Sequence, residues 1–199
     1  DAERPDLADR VLAQAKPQDD RALAARLANV ASKPDPKLLK RIERVLLDSR
    51  STQVQSRAFL LGQLYELREM PEEALAWYAK EPQGVAWHEA QLRRSVLTAQ
   101  DLDDMQGART LLIAMRQKVD DADQRVDAYL LEAELLTPTD RGAAGAVYDE
   151  AVARYPNDFR LRYARALFRI GDNDVAGLEQ DLRSILKIDP ENPQALNAL

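Results

Sequence analysis

The stretch Arg57–Tyr78, RAFLLGQLYELREMPEEALAWY, most narrows what this chain can fold into. Leu61, Gly62 and Tyr65 fall on one helix, and Pro71 suits the first turn of a second, where the missing N–H costs nothing. Gly62 and Ala74 are twelve residues apart. In two antiparallel helices joined by a short turn, that spacing sets two small side chains face to face, so that the backbones approach closely. Ala and Leu dominate the composition and only 7 of 199 residues are Gly, which favours helix over strand. The chain therefore reads as helical hairpins, and the question is whether the hairpin repeats.

It does, with a period near 34 residues. Leu61, Gly62, Tyr65, Ala74 and Tyr78 match signature positions 7, 8, 11, 20 and 24 of the tetratricopeptide (TPR) repeat, which the stretch resembles. Leu131, Leu135, Ala144, Tyr148, Ala151 and Pro156 repeat the pattern, with Glu132 where a small residue is expected; Glu132 must turn out of the contact or find a partner. Pro190 follows Pro156 by 34 residues. The resemblance implies an all-α, TPR-like α-α superhelix, a solenoid of antiparallel helix pairs. Four repeats are expected, at 55–88, 89–124, 125–158 and 159–192. Residues 193–199 start a further, truncated repeat, which reads as a cut through a longer array. Residues 1–54 read as degenerate helical repeats, with helices from Pro5 to before Pro17, from Asp20 to Ala31 and from Pro36 to Asp48. In the repeat at 159–192 two registers compete. The Gly171-Asp172 turn pairs Ala164 with Ala176, whereas Pro190 places Leu178 and Leu182 at positions 20 and 24. A two-residue insertion near Asp172–Asp174 reconciles them.

Catalysis finds little support. His88 is the only histidine and there is no cysteine, so a nucleophilic triad, a thiolate metal site and a disulfide scaffold all lack their parts. Acidic pairs such as Glu72-Glu73 and Asp120-Asp121 sit at helix starts or connectors, where they complement the helix dipole. Asp172-Asn173-Asp174 lacks the glycine and glutamate of a calcium loop. No cofactor or metal is expected. A formal charge of -6 disfavours nucleic acid and anionic membranes as general partners.

Binding remains. In a TPR superhelix the first helix of each pair lines the inner wall. Its inward positions are Phe59, Gln63, Glu66 and Leu67 in one repeat and Tyr129, Ala133, Leu136 and Thr137 in another. In the last repeat the turn register gives Leu161, Arg165, Phe168 and Arg169. Aromatic anchors with polar neighbours suit an extended or helical peptide, although Phe59 and Tyr129 equally suit packing between repeats. The positions that clamp a C-terminal carboxylate in some TPR proteins hold Phe59 and Gln63, or Tyr129 and Ala133, so that mode is not expected. Trp77 and Trp87 flank Glu81-Pro82-Gln83-Gly84 and read as connector packing or as a partner patch.

A narrower resemblance lies in Glu73–Tyr78 followed by the EPQG break, then Gly107-Ala108-Arg109, and finally Gln194–Leu199. These segments resemble large proteobacterial outer-membrane TPR lipoproteins, in which a truncated second helix ends in a Pro/Gly connector. The resemblance implies a periplasmic, non-enzymatic scaffold held at the outer membrane by a lipid anchor outside this sequence. It also implies an adaptor that binds a CtpA-type C-terminal processing protease and delivers cell-wall hydrolases to it. A scaffold for envelope or pilus assembly, or an accessory region of an enzyme, are the alternatives. An exposed apolar edge after Leu199 makes self-association a further expectation.

Overall fold

The computed structural model of the chain describes residues 5–14, 19–48 and 54–199, with the side chains of residues 5–8 and 12 left aside. Pro17 thus lies outside what is described, as do the side chains of Leu7 and Leu12. Among the described residues every regular element is a helix. The helices are α1 Pro5–Gln14, α2 Asp20–Ala31, α3 Pro36–Leu47, α4 Arg57–Glu66, α5 Pro71–Tyr78 and α6 Trp87–Gln100. They continue as α7 Met105–Lys118, α8 Ala122–Leu136, α9 Arg141–Arg154, α10 Phe159–Ile170, α11 Val175–Ile188 and α12 Pro193–Ala198. Among the described residues no helix is long and apolar enough to cross a membrane. The chain divides into two compact units, the first ending at Asp104 and the second running Met105–Leu199. That division falls inside the expected repeat 89–124.

In the first unit α4 and α5 form the expected hairpin, and α6 packs on both. Upstream, α2 and α3 form a further pair packed on α4, so the degenerate segment supplies an unbroken helix pair. Leu23, Val30, Ile42, Leu46, Leu61 and Leu64 close the core between these helices. Helix α5 ends after eight residues at Tyr78, as the EPQG break anticipates. The start of α4 is capped from a distance. Ser56 makes no side-chain cap bond. Instead Asp20 accepts from the Gln55 and Ser56 N–H groups at 3.1 Å, and Glu81 accepts from Phe59 N–H at 2.8 Å. Far-off carboxylates thus satisfy donors that every helix start leaves open.

Gly62 is closely covered by the second helix of its hairpin. A Cβ built on it would lie 2.4–2.7 Å from the ring of Tyr78, so the α4 backbone approaches that ring closely. The ring is fully buried, lies 5.8 Å from Phe59 and donates its hydroxyl to Glu66. Burial, and then the Glu66 hydrogen bond, push its pKa above the usual phenol value.

In the second unit α7 packs on α8, α8 pairs with α9, α10 with α11, and α12 follows on α11. Asp140 and Asp174 cap α9 and α11 through the N–H groups of Ala143 and Gly177. Asp158 and Asn192 cap α10 and α12. Each capping pair is 34 residues apart. This spacing settles the last repeat: the register set by Pro190 holds throughout, and no insertion is present. Ala166, fully buried, takes position 8, and Leu182, also fully buried, takes position 24. Ala164 and Ala176 do not form the expected pair, since Ala176 is exposed. The turn that misled is four residues long, Gly171–Asp174, the same length as Thr137–Asp140. Its left-handed residue is Asn173 (φ 55°), whereas Gly171 is right-handed. Glu132 finds its partners on α7: Arg109 at 3.0 Å and Arg116 at 2.6 Å enclose a carboxylate that is only 1% exposed.

Candidate binding grooves

Helix-first positions build one groove in each unit. In the first, α2 contributes Ala24, Leu27, Ala28 and Ala31, α4 contributes Gln63, Glu66 and Leu67, and α6 contributes Arg93; together they bound about 470 Å³. The α2 wall is low because three of its four lining residues are alanines at helical spacing. Arg93 donates to Glu66 at 3.1 Å. Glu66 thus joins two tasks, holding Tyr78 beneath the groove and Arg93 on its rim.

In the second unit Leu130, Glu134, Thr137 and Pro138 from α8 and its turn face Ala164, Leu167 and Phe168 from α10 across a similar volume, about 470 Å³, floored by Tyr148. Phe168 packs on Tyr148, centroids 5.2 Å apart, and carries the Arg141 guanidinium 4.2 Å above its ring.

Of the inward residues expected from sequence, Gln63, Glu66, Leu67, Thr137 and Phe168 line these grooves. Phe59 is half-buried between the core of the first unit and Tyr78. Tyr129, Leu136 and Leu161 are corrected to interior positions, 4%, 2% and 0% exposed. Tyr129 donates to Glu150 at 2.6 Å and lies 6.2 Å from the Tyr155 ring. Arg165 and Arg169 also leave the wall. With Arg162 they surround the fully buried Asp181 of α11, at 2.6, 2.9 and 3.5 Å. Asp181 stands 34 residues after Val147, a core residue of α9, so an ionic contact replaces an apolar one. The true register turns Leu167 and Ile170, 45% and 54% exposed, outward instead.

Sequence reasoning missed the α2 wall, Arg93 and Leu167. The alanine spacing of α2 was a usable signal once α2 is recognised as the first helix of a pair. Arg93 carried none, because its role depends on Glu66, 27 residues away.

Stacked helix pairs with a groove along their first helices define a helical-repeat fold of the TPR type. Known proteins agree. Over 144 residues the chain is 35% identical to a TPR repeat-containing protein of Pseudomonas aeruginosa, a match that takes in 71% of this chain and 24% of that protein. The chain thus spans about a quarter of that relative's length. A crystal structure of the C-terminal part of a TPR repeat-containing protein from Cytophaga hutchinsonii matches with a TM-score of 0.55 at 14% identity, over 99% of this chain and 82% of the other, a likeness of fold. No protein-family model matches the chain.

Proposed function

We propose that the chain is a non-catalytic scaffold that holds a protein or peptide segment along its helix-first grooves. The observation that carries this reading is the paired construction of the grooves. Each has apolar walls, a ring beneath or within it (Tyr78 under Glu66, Phe168 on Tyr148) and a charged group at its edge, the arrangement that anchors a side chain and orients a backbone.

The finer reading is an adaptor of a C-terminal processing protease and its cell-wall hydrolase substrates, placed in the periplasm at the outer membrane. It is supported by the shortened α5 with its EPQG connector and by the likeness to a pseudomonad TPR protein. A photoreactive residue at Gln63 or Leu167 of the full-length protein should trap the protease or a hydrolase in cell-envelope extracts. Trapping only from an outer position such as Ala146 would overturn the groove reading. Trapping of envelope-assembly or pilus components at the grooves would retain the scaffold and remove the protease.

A further inference from the structure

A third cavity, of about 370 Å³, opens in the second unit among α7, α8 and α9, apart from the helix-first groove. Its volume lies in the range of small-ligand sites. Its charged lining is three arginines, Arg116, Arg125 and Arg154, against one carboxylate, Glu150. The charges are unevenly matched. Glu150 accepts from the Tyr129 hydroxyl at 2.6 Å. Arg116 lies over the Tyr129 ring at 4.0 Å and shares Glu132 with Arg109. Arg125 spends its Nε on the Val119 carbonyl at 2.8 Å and meets Asp120, a fully exposed residue, only at 4.0 Å. Among the described residues no carboxylate pairs with Arg154. Tyr155 also lines the cavity, with its hydroxyl buried.

We propose that this cavity binds a compact oxyanion, a phosphate or carboxylate group, held by the guanidiniums of Arg125 and Arg154. Guanidinium forks match both oxyanions, and the net positive lining stands out on a chain of formal charge -6. This inference is independent of what the grooves bind.

Sodium phosphate and sodium succinate, each titrated into the 199-residue chain at constant ionic strength set with chloride, provide the test by calorimetry. Saturable one-site binding of at least one probe is expected. Arg154→Ala should weaken it roughly tenfold or more, with melting in the absence of probe unchanged. Phosphate binding alone identifies a phosphate-bearing ligand, succinate binding alone a carboxylate, and binding of both a site that reads charge. Absence of saturation with either probe, or equal binding by Arg154→Ala, overturns the proposal.

Discussion

At Gly62 the Tyr78 ring occupies the space a methyl group would need. The ring cannot step aside cheaply, because it is fully buried, packed on Phe59 and hydrogen-bonded to Glu66. Gly62→Ala should therefore destabilise the chain by about 1–3 kcal/mol through overpacking, despite alanine's better helix propensity. Gly142 in α9 is the contrast. It is exposed, and a Cβ there would meet nothing closer than Asp140 Oδ1 at 3.6 Å. Gly142→Ala should stabilise by about 0.5–1 kcal/mol. Urea denaturation of both variants decides; equal effects would mean that Tyr78 does not hold Gly62. Two carboxyls carry opposite pH signatures. Glu43 accepts from Arg68 at 2.8 and 2.9 Å and from the Tyr65 hydroxyl at 2.8 Å. The Arg68 hydrogen bond, outweighing the cost of burial, holds Glu43 below the usual 4.5. Its contribution is present above pH 4.5 and is lost as pH falls through the depressed value. Glu81 is raised above 4.5, first by burial, with Asp20 adding like-charge repulsion and the Phe59 N–H opposing. Its contribution is full below pH 4.5 and is lost as pH rises through the raised value. Glu43→Gln should thus lower the melting temperature at pH 7 and leave it unchanged once Glu43 is protonated in the parent. Glu81→Gln keeps an acceptor for Phe59 N–H and should raise it at pH 7, with the gain shrinking below pH 4.5. Melting curves from pH 3 to 8 separate the two, and parallel shifts for both variants would contradict the assignment.

At the scale of elements, α10 shows how one helix is divided among neighbours. Leu161, Ala164 and Phe168 join the α8–α9 core, while Ala166 joins the cluster with Leu182, Ile185 and Ala195. Arg162, Arg165 and Arg169 close on Asp181, and Leu167 and Ile170 are left outside. Leu161→Ala should cost about 2–5 kcal/mol, because it removes a fully buried side chain and leaves a cavity. Leu167→Ala should stay within about 0.5 kcal/mol. The reverse order in chemical denaturation would restore the turn register and return Leu161 to the wall. The turns make the same point. Glu69, Asp103 and Asn173 take positive φ, and each stands two residues before the helix that follows: α5, α7 and α11. The conformation recurs at these three connections although the residue type does not.

For the whole molecule, each compact unit carries its own groove, and the leucine available to a partner differs between them: half-buried Leu67 in one, exposed Leu167 in the other. Leu67→Glu and Leu167→Glu place a charge where a partner's apolar anchor would rest. Each should weaken partner binding in the full-length protein roughly tenfold or more, as loss of an interface anchor does. Leu167→Glu should leave the melting temperature nearly unchanged, since that side chain already meets solvent, whereas Leu67→Glu also loses packing on the first unit's core and should lower it. Interferometry with the captured partner reads the first effect and calorimetry the second. Unchanged binding by both variants would remove the grooves from the function.

Local spacing in the sequence carries the helical class, the 34-residue period and the short α5: small and aromatic residues at fixed offsets and prolines at helix starts. For Glu132 it left two outcomes, turning out of the contact or finding a partner. Which face of each first helix is wall and which is core depends on its neighbours in space. Periodicity reports that a face is buried, not what buries it, so Leu161 and Leu167 look alike until α9 and α11 are in place. The same holds for contacts between distant positions. Tyr78 over Gly62, Arg116 on Glu132 and three arginines on Asp181 join residues 12–19 apart in sequence with no local pattern to announce them. They form because burying a carboxylate or a phenol hydroxyl is tolerable only when a partner arrives from another helix, and the fold alone sets which helix that is.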